Sequence, residues 1–452
     1  MRELLPVVAA LALLAPPAIA AEPRPLAPSG PYRPRLTLVD APANLAQAYQ
    51  VPTMRQALDL TRSLVEGVDW AVDLGFDHLA AGWDEGLRYG LEIPALAGAT
   101  VLLGQIPLGA GWSHEEWHRA VMARHGIGSR NGFYSYPPFS DAIAVDHVTD
   151  DALATLKRSR PRDFVRLSAA GMEANVLLAR EIRDEAFFDR RPLYRDIPAV
   201  GLTLGNVFFY LQGCASDGFD AMVDQKMAQE GADMARRDFA GADCLAWMYD
   251  LERFNEAYDG RGAHPSGVGI RRYRKSTDLS AEGRAFLGQA RTLSLLNFAA
   301  PDLFGLPPLA IPGHGEWTFG LQHMLTSFGQ VVQVELLSRS PEHGLTLGYH
   351  HFFNGARAFP GLEAALVRQP VRLGDLRLAV DVGAVAWLQP RTGSFLDTSE
   401  GPGGALRLGL GLPLSDRATL RLEGLGKTDG WLAGEVDLDA AWIGRAGLLL
   451  SL

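Results

Sequence analysis

Leu406-Arg407-Leu408-Gly409-Leu410-Gly411-Leu412 alternates a large apolar side chain with arginine or glycine at every second position. Successive side chains of a strand point to opposite faces. This period of two therefore predicts an extended strand with one leucine-rich face and one small or polar face. The pattern continues outward in both directions. Leu376, Leu378, Val380 and Val382 alternate with Arg377, Ala379, Asp381 and Gly383, and shorter alternations run through Val332-Val334-Leu336, Leu345-Leu347-Tyr349, Leu420-Leu422 and Val436-Leu438. Turn-forming runs lie between them, among them Ser340-Pro341-Glu342-His343-Gly344, Pro413-Leu414-Ser415-Asp416-Arg417 and Lys427-Thr428-Asp429-Gly430. Residues 316–452 thus hold about eight antiparallel strands, enough to close a small β-barrel.

Upstream of a Pro/Gly linker at 305–315 the period changes. From 54 to 304 apolar residues recur at three- and four-residue spacing, as in Ala57-Leu58-Leu60, Leu64-Val65-Val68 and Ala71-Val72-Leu74, which predicts a mainly α-helical domain. The chain is expected to be an α+β multidomain protein. Three stretches, 93–111, 199–215 and 290–311, approach the length of a bilayer span. Each is interrupted, by Gln105 and Pro107, by Asn206 and Gln212, and by Pro301-Asp302 and Pro307-Pro308. Buried core helices, interfacial segments and spans all fit such runs.

Residues 21–53 form a proline-rich, extended lead-in. Residues 1–20 have the layout of a signal peptide: Arg2, an apolar stretch over 4–14, then Ala18-Ile19-Ala20 as a small-residue cleavage site. Export would place Cys214 and Cys244, the two cysteines of the chain, where they can pair. The net charge of −10, without a basic face, argues against a nucleic-acid partner.

Chemistry concentrates at His114-Glu115-Glu116-Trp117-His118. Histidines at i and i+4 share one helix face and can reach one tetrahedral ion, and the intervening glutamate projects beside them as the water-activating base. Ser113 is the expected N-cap, with Glu116 as its capping-box partner. A third ligand is needed. Glu173, in Ala169-Ala170-Gly171-Met172-Glu173, is the leading candidate, because the small residues before it let its helix approach closely. Glu181 and Glu185 are weaker rivals in a charged run. Tyr134, Tyr136, His147 and Asn175 are candidates for an oxyanion donor or for orienting a ligand imidazole, and His125 lies nearby.

The H-E-x-x-H helix is similar to the zincin metallopeptidases. That resemblance implies Zn2+ on His114 and His118, Glu115 as catalytic base and a peptide or protein substrate. The metzincin extension is absent, which leaves a gluzincin-like arrangement with Glu173 as ligand. The carboxy-terminal alternation resembles outer-membrane barrels, apolar toward lipid, although the chain ends in Leu448-Leu449-Leu450-Ser451-Leu452 rather than an aromatic residue. Trp317, Phe319, Phe352, Phe353, Phe359, Trp387 and Trp442 are the expected interfacial aromatics. Together these imply an exported zinc metallohydrolase whose catalytic domain sits in the periplasm, fixed at the outer membrane. Two alternatives stay open: a non-catalytic outer-membrane anchoring or assembly protein, and an inner-membrane metallopeptidase with a soluble β domain.

Overall fold

The computed structural model describes residues 32–43, 51–103, 109–132, 144–191, 193–214, 216–340, 343–374 and 376–452. Strand β1 (Arg35–Ala41) precedes helices α1 (Met54–Leu79), α2 (Glu85–Leu103) and α3 (Ala110–Arg124). A two-residue ladder of β2 (Arg130–Asn131) and β3 (Val145–Asp146) follows. Then come α4 (Asp150–Ser159), α5 (Pro161–Phe188), α6 (Ile197–Cys214), α7 (Asp217–Glu230), α8 (Asp243–Glu252) and α9 (Ala281–Leu293). The rest is extended: β4 (Leu309–Ile311), β5 (Gly315–Leu325), β6 (Gln330–Arg339), β7 (Gly344–Phe353), β8 (Ala358–Leu373), β9 (Leu376–Gln389), β10 (Gly401–Ser415), β11 (Ala418–Lys427) and β12 (Ala441–Leu450). The expected signal segment, 1–20, lies outside the described residues.

Ten strands form one antiparallel sheet in the order β1-β12-β11-β10-β9-β8-β7-β6-β5-β4. β1 and β4 are its edges, so among the described residues the sheet is open. Its limits differ from the expected 316–452. Arg35 sits opposite Leu449 and Ala41 opposite Gly444, which makes part of the proline-rich lead-in a strand. The exposed backbone groups of β12 require partners, and β1 supplies them. Conversely, Val436-Leu438 is not a strand. It belongs to an irregular connection between β11 and β12 whose Trp431 and Leu438 are buried.

The two faces of the sheet separate as the alternation requires. Leu366 on β8, Val382 on β9 and Leu408 on β10 are direct cross-strand neighbours and all point outward, each about half exposed; Leu406 beside them is 70% exposed. Gln322, Gln333, Glu335, Thr346, His350, Gln389, Lys427 and Arg445 face inward and are buried. Helix α5 lies against this polar concave face, with Arg180 bonded to Glu335 of β6 and Arg166 to the carbonyl of Glu435 at 2.8 Å. Of the expected interfacial aromatics, Phe352, Phe359 and Trp387 share the inward face and are buried there, while Phe353, the next residue along β7, is buried against Phe286 of α9. Trp442 is outward and 86% exposed.

The three long apolar stretches have different fates. The first is divided between α2, which contains Pro94, and α3; the third breaks into the end of α9, two 3-10 turns and β4. The second is α6. It alone among the described helices is long and apolar enough to cross a membrane.

Candidate metal centre

Helix α3 begins one turn earlier than the sequence suggests, with Gly109 at its N-cap. Ser113 is therefore inside the helix. Glu116 accepts hydrogen bonds from Asn131 Nδ2 at 2.8 Å and Arg119 Nη1 at 2.6 Å instead of closing a capping box. This leaves His114 and His118 in the middle of α3, one turn apart, with their rings turned against α5.

The contact with α5 falls at Gly171. A Cβ there would lie 2.4 Å from Nε2 of both histidines, so glycine keeps open the space onto which the two rings converge. The third group entering that space is Asp243, the first residue of α8. Its Oδ2 is 2.9 Å from His114 Nε2 and 3.2 Å from His118 Nε2. Three ligand atoms at about 2.0–2.1 Å from one tetrahedral ion would stand about 3.3 Å apart, close to this spacing.

The hydrogen bonding of His118 points its second nitrogen into the same space. His118 Nδ1 lies 2.6 Å from the carbonyl of Leu167, to which it donates, so Nε2 carries its lone pair toward Asp243. That Nε2 is fully buried and makes no hydrogen bond of acceptable geometry. A lone pair facing a carboxylate oxygen in a buried site calls for a cation between them. In the metal-free site a proton can take that place. Burial opposes charge on both groups, yet Asp243 pushes His118 up to about 9, and His118 with His114 holds the Asp243 carboxyl well below the usual carboxylate range. On His114 burial prevails and lowers the pKa. The donor set, the orphaned nitrogen and the gap at Gly171 together fit a metal ion.

Glu173, the expected third ligand, is not in this group. Residues two apart on a helix are turned about 200° from one another, so with Gly171 facing the histidines Glu173 faces away. Its carboxylate is clamped by Arg166, through Nη1 and through Nη2 at 3.0 Å, and accepts the Gly434 N–H at 2.8 Å. Glu181 and Glu185 are likewise taken up by arginines, Arg55 and Arg62. Asn175, one turn beyond Gly171, does face the site, its amide 3.5 Å from His114 Nδ1. His147 pairs with Asp146 at 2.7 Å near the surface, away from the cleft lining. His125 neighbours Asp163 at 3.4 Å on another side of α5. Tyr134 and Tyr136 lie outside the described residues.

The ligand set opens into a cavity of about 550 Å³, within the range of small-molecule and peptide sites. Glu115 lines it and accepts no hydrogen bond among the described residues. Burial, with Asp243 and Asp238 adding and His118 opposing, raises its pKa to about 8. Val207, Phe209, Phe219, Met222 and Phe239 supply apolar lining, Phe239 against the His118 ring, with Lys226 and Asp238 among the polar lining groups. Tyr210 of α6 also lines the cavity. Its oxygen accepts the Asp243 N–H at 3.0 Å, and burial raises its pKa well above that of a free phenol, so it keeps a proton to donate into the cavity. Asp243, Tyr210 and Gly171 were not identified from sequence. Asp243 stands 129 positions from His114 with no spacing rule to connect them, and its only local signal is an acidic residue opening a helix beside Cys244. No protein-family model, no curated protein and no solved structure matches the chain.

Proposed function

We propose that the chain is a zinc-dependent hydrolase, most simply a peptidase, with His114, His118 and Asp243 as ligands and Glu115 as base. The observation that carries this reading is the convergence of two imidazole nitrogens and one carboxylate oxygen beside the Glu115 carboxylate, at the wall of an open cavity. Zn2+ in that position supplies Lewis acidity toward a carbonyl and makes water nucleophilic at neutral pH. A positive charge there also favours the ionised form of Glu115, reversing the effect of burial. Glu115 then takes the proton of the attacking water and passes it to the leaving amine. Tyr210 donates its O–H toward the oxygen on which charge develops, and the apolar lining holds a substrate side chain.

The same proposal places the protein at a membrane after export, in the bacterial outer membrane with the leucine face of the sheet toward lipid and the metal site open to the periplasm. The inside-out distribution of side chains supports this. Leucines cover the outer face of the sheet while glutamates and arginines fill its concave side, and α2 repeats the arrangement. Glu92 is fully buried and Arg88 is bonded to it and to Asp77, whereas Leu87, Leu91, Val101 and Leu102 are exposed. In water the opposite distribution is favoured. The outward leucines also favour a lipid-facing sheet over a soluble β domain.

The test combines metal analysis with hydrolysis. Purified wild-type protein should hold about one zinc and cleave a mixed peptide library. Glu115→Gln should keep the zinc and lose about 10²–10⁴-fold in rate. A metal-free wild-type protein, or an unchanged rate in the variant, would reject the reading.

A further inference from the structure

Cys214 and Cys244 form a disulfide whose two ends occupy significant places in the site. Cys244 directly follows Asp243, and Cys214 is the last residue of α6, one turn beyond Tyr210. Helix α6 therefore grips the start of α8 at adjacent residues, covalently at Cys244 and through the Tyr210 oxygen to the backbone of Asp243. The other segments around Asp243 hold it without a covalent bond, Gly241 lying against the Tyr273 ring and Ala242 and Leu245 buried. The chain arrives through Gly241, which has φ +78°, and Ala242, and its N-cap makes no side-chain hydrogen bond. His114 and His118, by contrast, are fixed to each other by one continuous helix.

We propose that the Cys214–Cys244 disulfide is the positioning element of the third ligand, so that the metal site is complete only in the oxidised chain. The proposal rests on the metal reading above. Formation of the bond removes two electrons and two protons from the two thiols. A disulfide-bearing oxidant of the oxidoreductase class accepts them and is reduced to a dithiol. Both cysteines are fully buried, so the bond is made as the chain folds and is shielded from reductant afterwards. A chain held in a reducing compartment would keep its two histidine ligands fixed on α3, but Asp243 would be tied to α6 only through the Tyr210 hydrogen bond. Tight metal loading would follow export and oxidation rather than synthesis.

The experiment uses the full chain, comparing oxidised wild type with a Cys214→Ala, Cys244→Ala double variant. Zn2+ affinity is measured by chelator competition. The visible spectrum of the Co2+-loaded protein reports ligand geometry, and circular dichroism and the melting temperature of the metal-free forms report the fold. The expected result is a folded double variant that binds Zn2+ about 10–100-fold more weakly and gives an altered Co2+ spectrum. A purely stabilising cross-link would lower the melting temperature alone. Equal affinity and an unchanged spectrum overturn the proposal while leaving the metal site standing. A double variant that does not fold also overturns it, because the role would then not be local to Asp243. A wild-type chain that takes up no Zn2+ defeats the metal reading itself, and this proposal with it.

Discussion

The cleft at α3 and the concave side of the sheet are both dense in buried charge, but they resolve it differently. Beneath the sheet nearly every carboxylate meets a guanidinium: Glu173 meets Arg166, Glu335 meets Arg180, and Asp40, Glu423 and Glu435 all meet Arg445. Asp40, Arg445 and Glu423 are even direct cross-strand neighbours, so the pairing is built into the register. In the cleft, among the described residues, Glu115 accepts no hydrogen bond, the Nε2 of His118 is orphaned, and Asp243 faces two histidines rather than an arginine or lysine. Buried ions satisfied by one another are structural. Buried donor atoms that converge without a cation mark a place where one is to be bound.

The contrast can be broken most forcefully at Glu173. Glu173→Gln removes half of a fully buried pair and leaves Arg166 uncompensated, which should cost about 3–5 kcal/mol of stability in a denaturant titration. Zinc stoichiometry of the folded fraction should not change. Loss of zinc with stability retained would mean that the assignment of the two clusters is reversed.

Asp243→Ala tests the other side. Structural zinc sites are worth about 10–16 kcal/mol over four ligands, so losing one should weaken Zn2+ binding by about 3 kcal/mol, roughly 10²-fold. The fold, followed by circular dichroism, should persist, since no element beneath the sheet depends on this carboxylate. Unchanged affinity would remove Asp243 from the ligand set.

Acid should sharpen the comparison from the sheet side. His323 of β5 is fully buried, and burial lowers its pKa to about 4 despite a hydrogen bond with Gln330. Between about pH 6.5 and 4 the unfolded chain binds a proton there that the folded chain does not. Stability therefore falls as pH drops through that window, by up to about 3 kcal/mol. Burial opposes ionisation of Glu363 and Glu423, but His350 and Arg180 around the first, and Arg407 and Arg445 around the second, lower both to about 2. Their contribution is present above about pH 4.5 and is lost as pH falls toward 2. Melting temperature against pH should thus decline in two stages, and His323→Gln should make only the upper one shallower, since burial lowers His125 to about 4 as well.

How much of this was legible follows from the range of the interactions. The alternation around Leu406 located the strands and the leucine face because a strand's side-chain period is local. The i, i+4 histidines located the helix of the candidate metal site for the same reason. What the sequence did not reveal depends on contacts between distant segments. The edge pairing of β1 with β12 joins the two ends of the chain, and Asp243 reaches His114 only through the packing of α8 and α6 on α3 and α5. Glu173 misled because the small residues before it do mark the close approach. The residue that meets the histidines is Gly171 itself, and the helix then carries Glu173 round to Arg166.

Asn175 gives the smallest effect and the finest test. One turn beyond Gly171, its amide nitrogen lies 3.5 Å from His114 Nδ1 while its own Oδ1 is buried without a partner. Amide oxygen and nitrogen exchange places by a 180° rotation of the group. In the rotated form Oδ1 accepts from Nδ1–H, the orphaned oxygen is satisfied, and the Nε2 lone pair of His114 turns toward Asp243 as His118's already does. Asn175→Leu abolishes that acceptor and should weaken Zn2+ binding about 10–100-fold, whereas Asn175→Asp retains an acceptor and should bind within a few-fold of wild type. Equal weakening in both variants would show that Asn175 acts through packing alone and that His114 takes its orientation from α3.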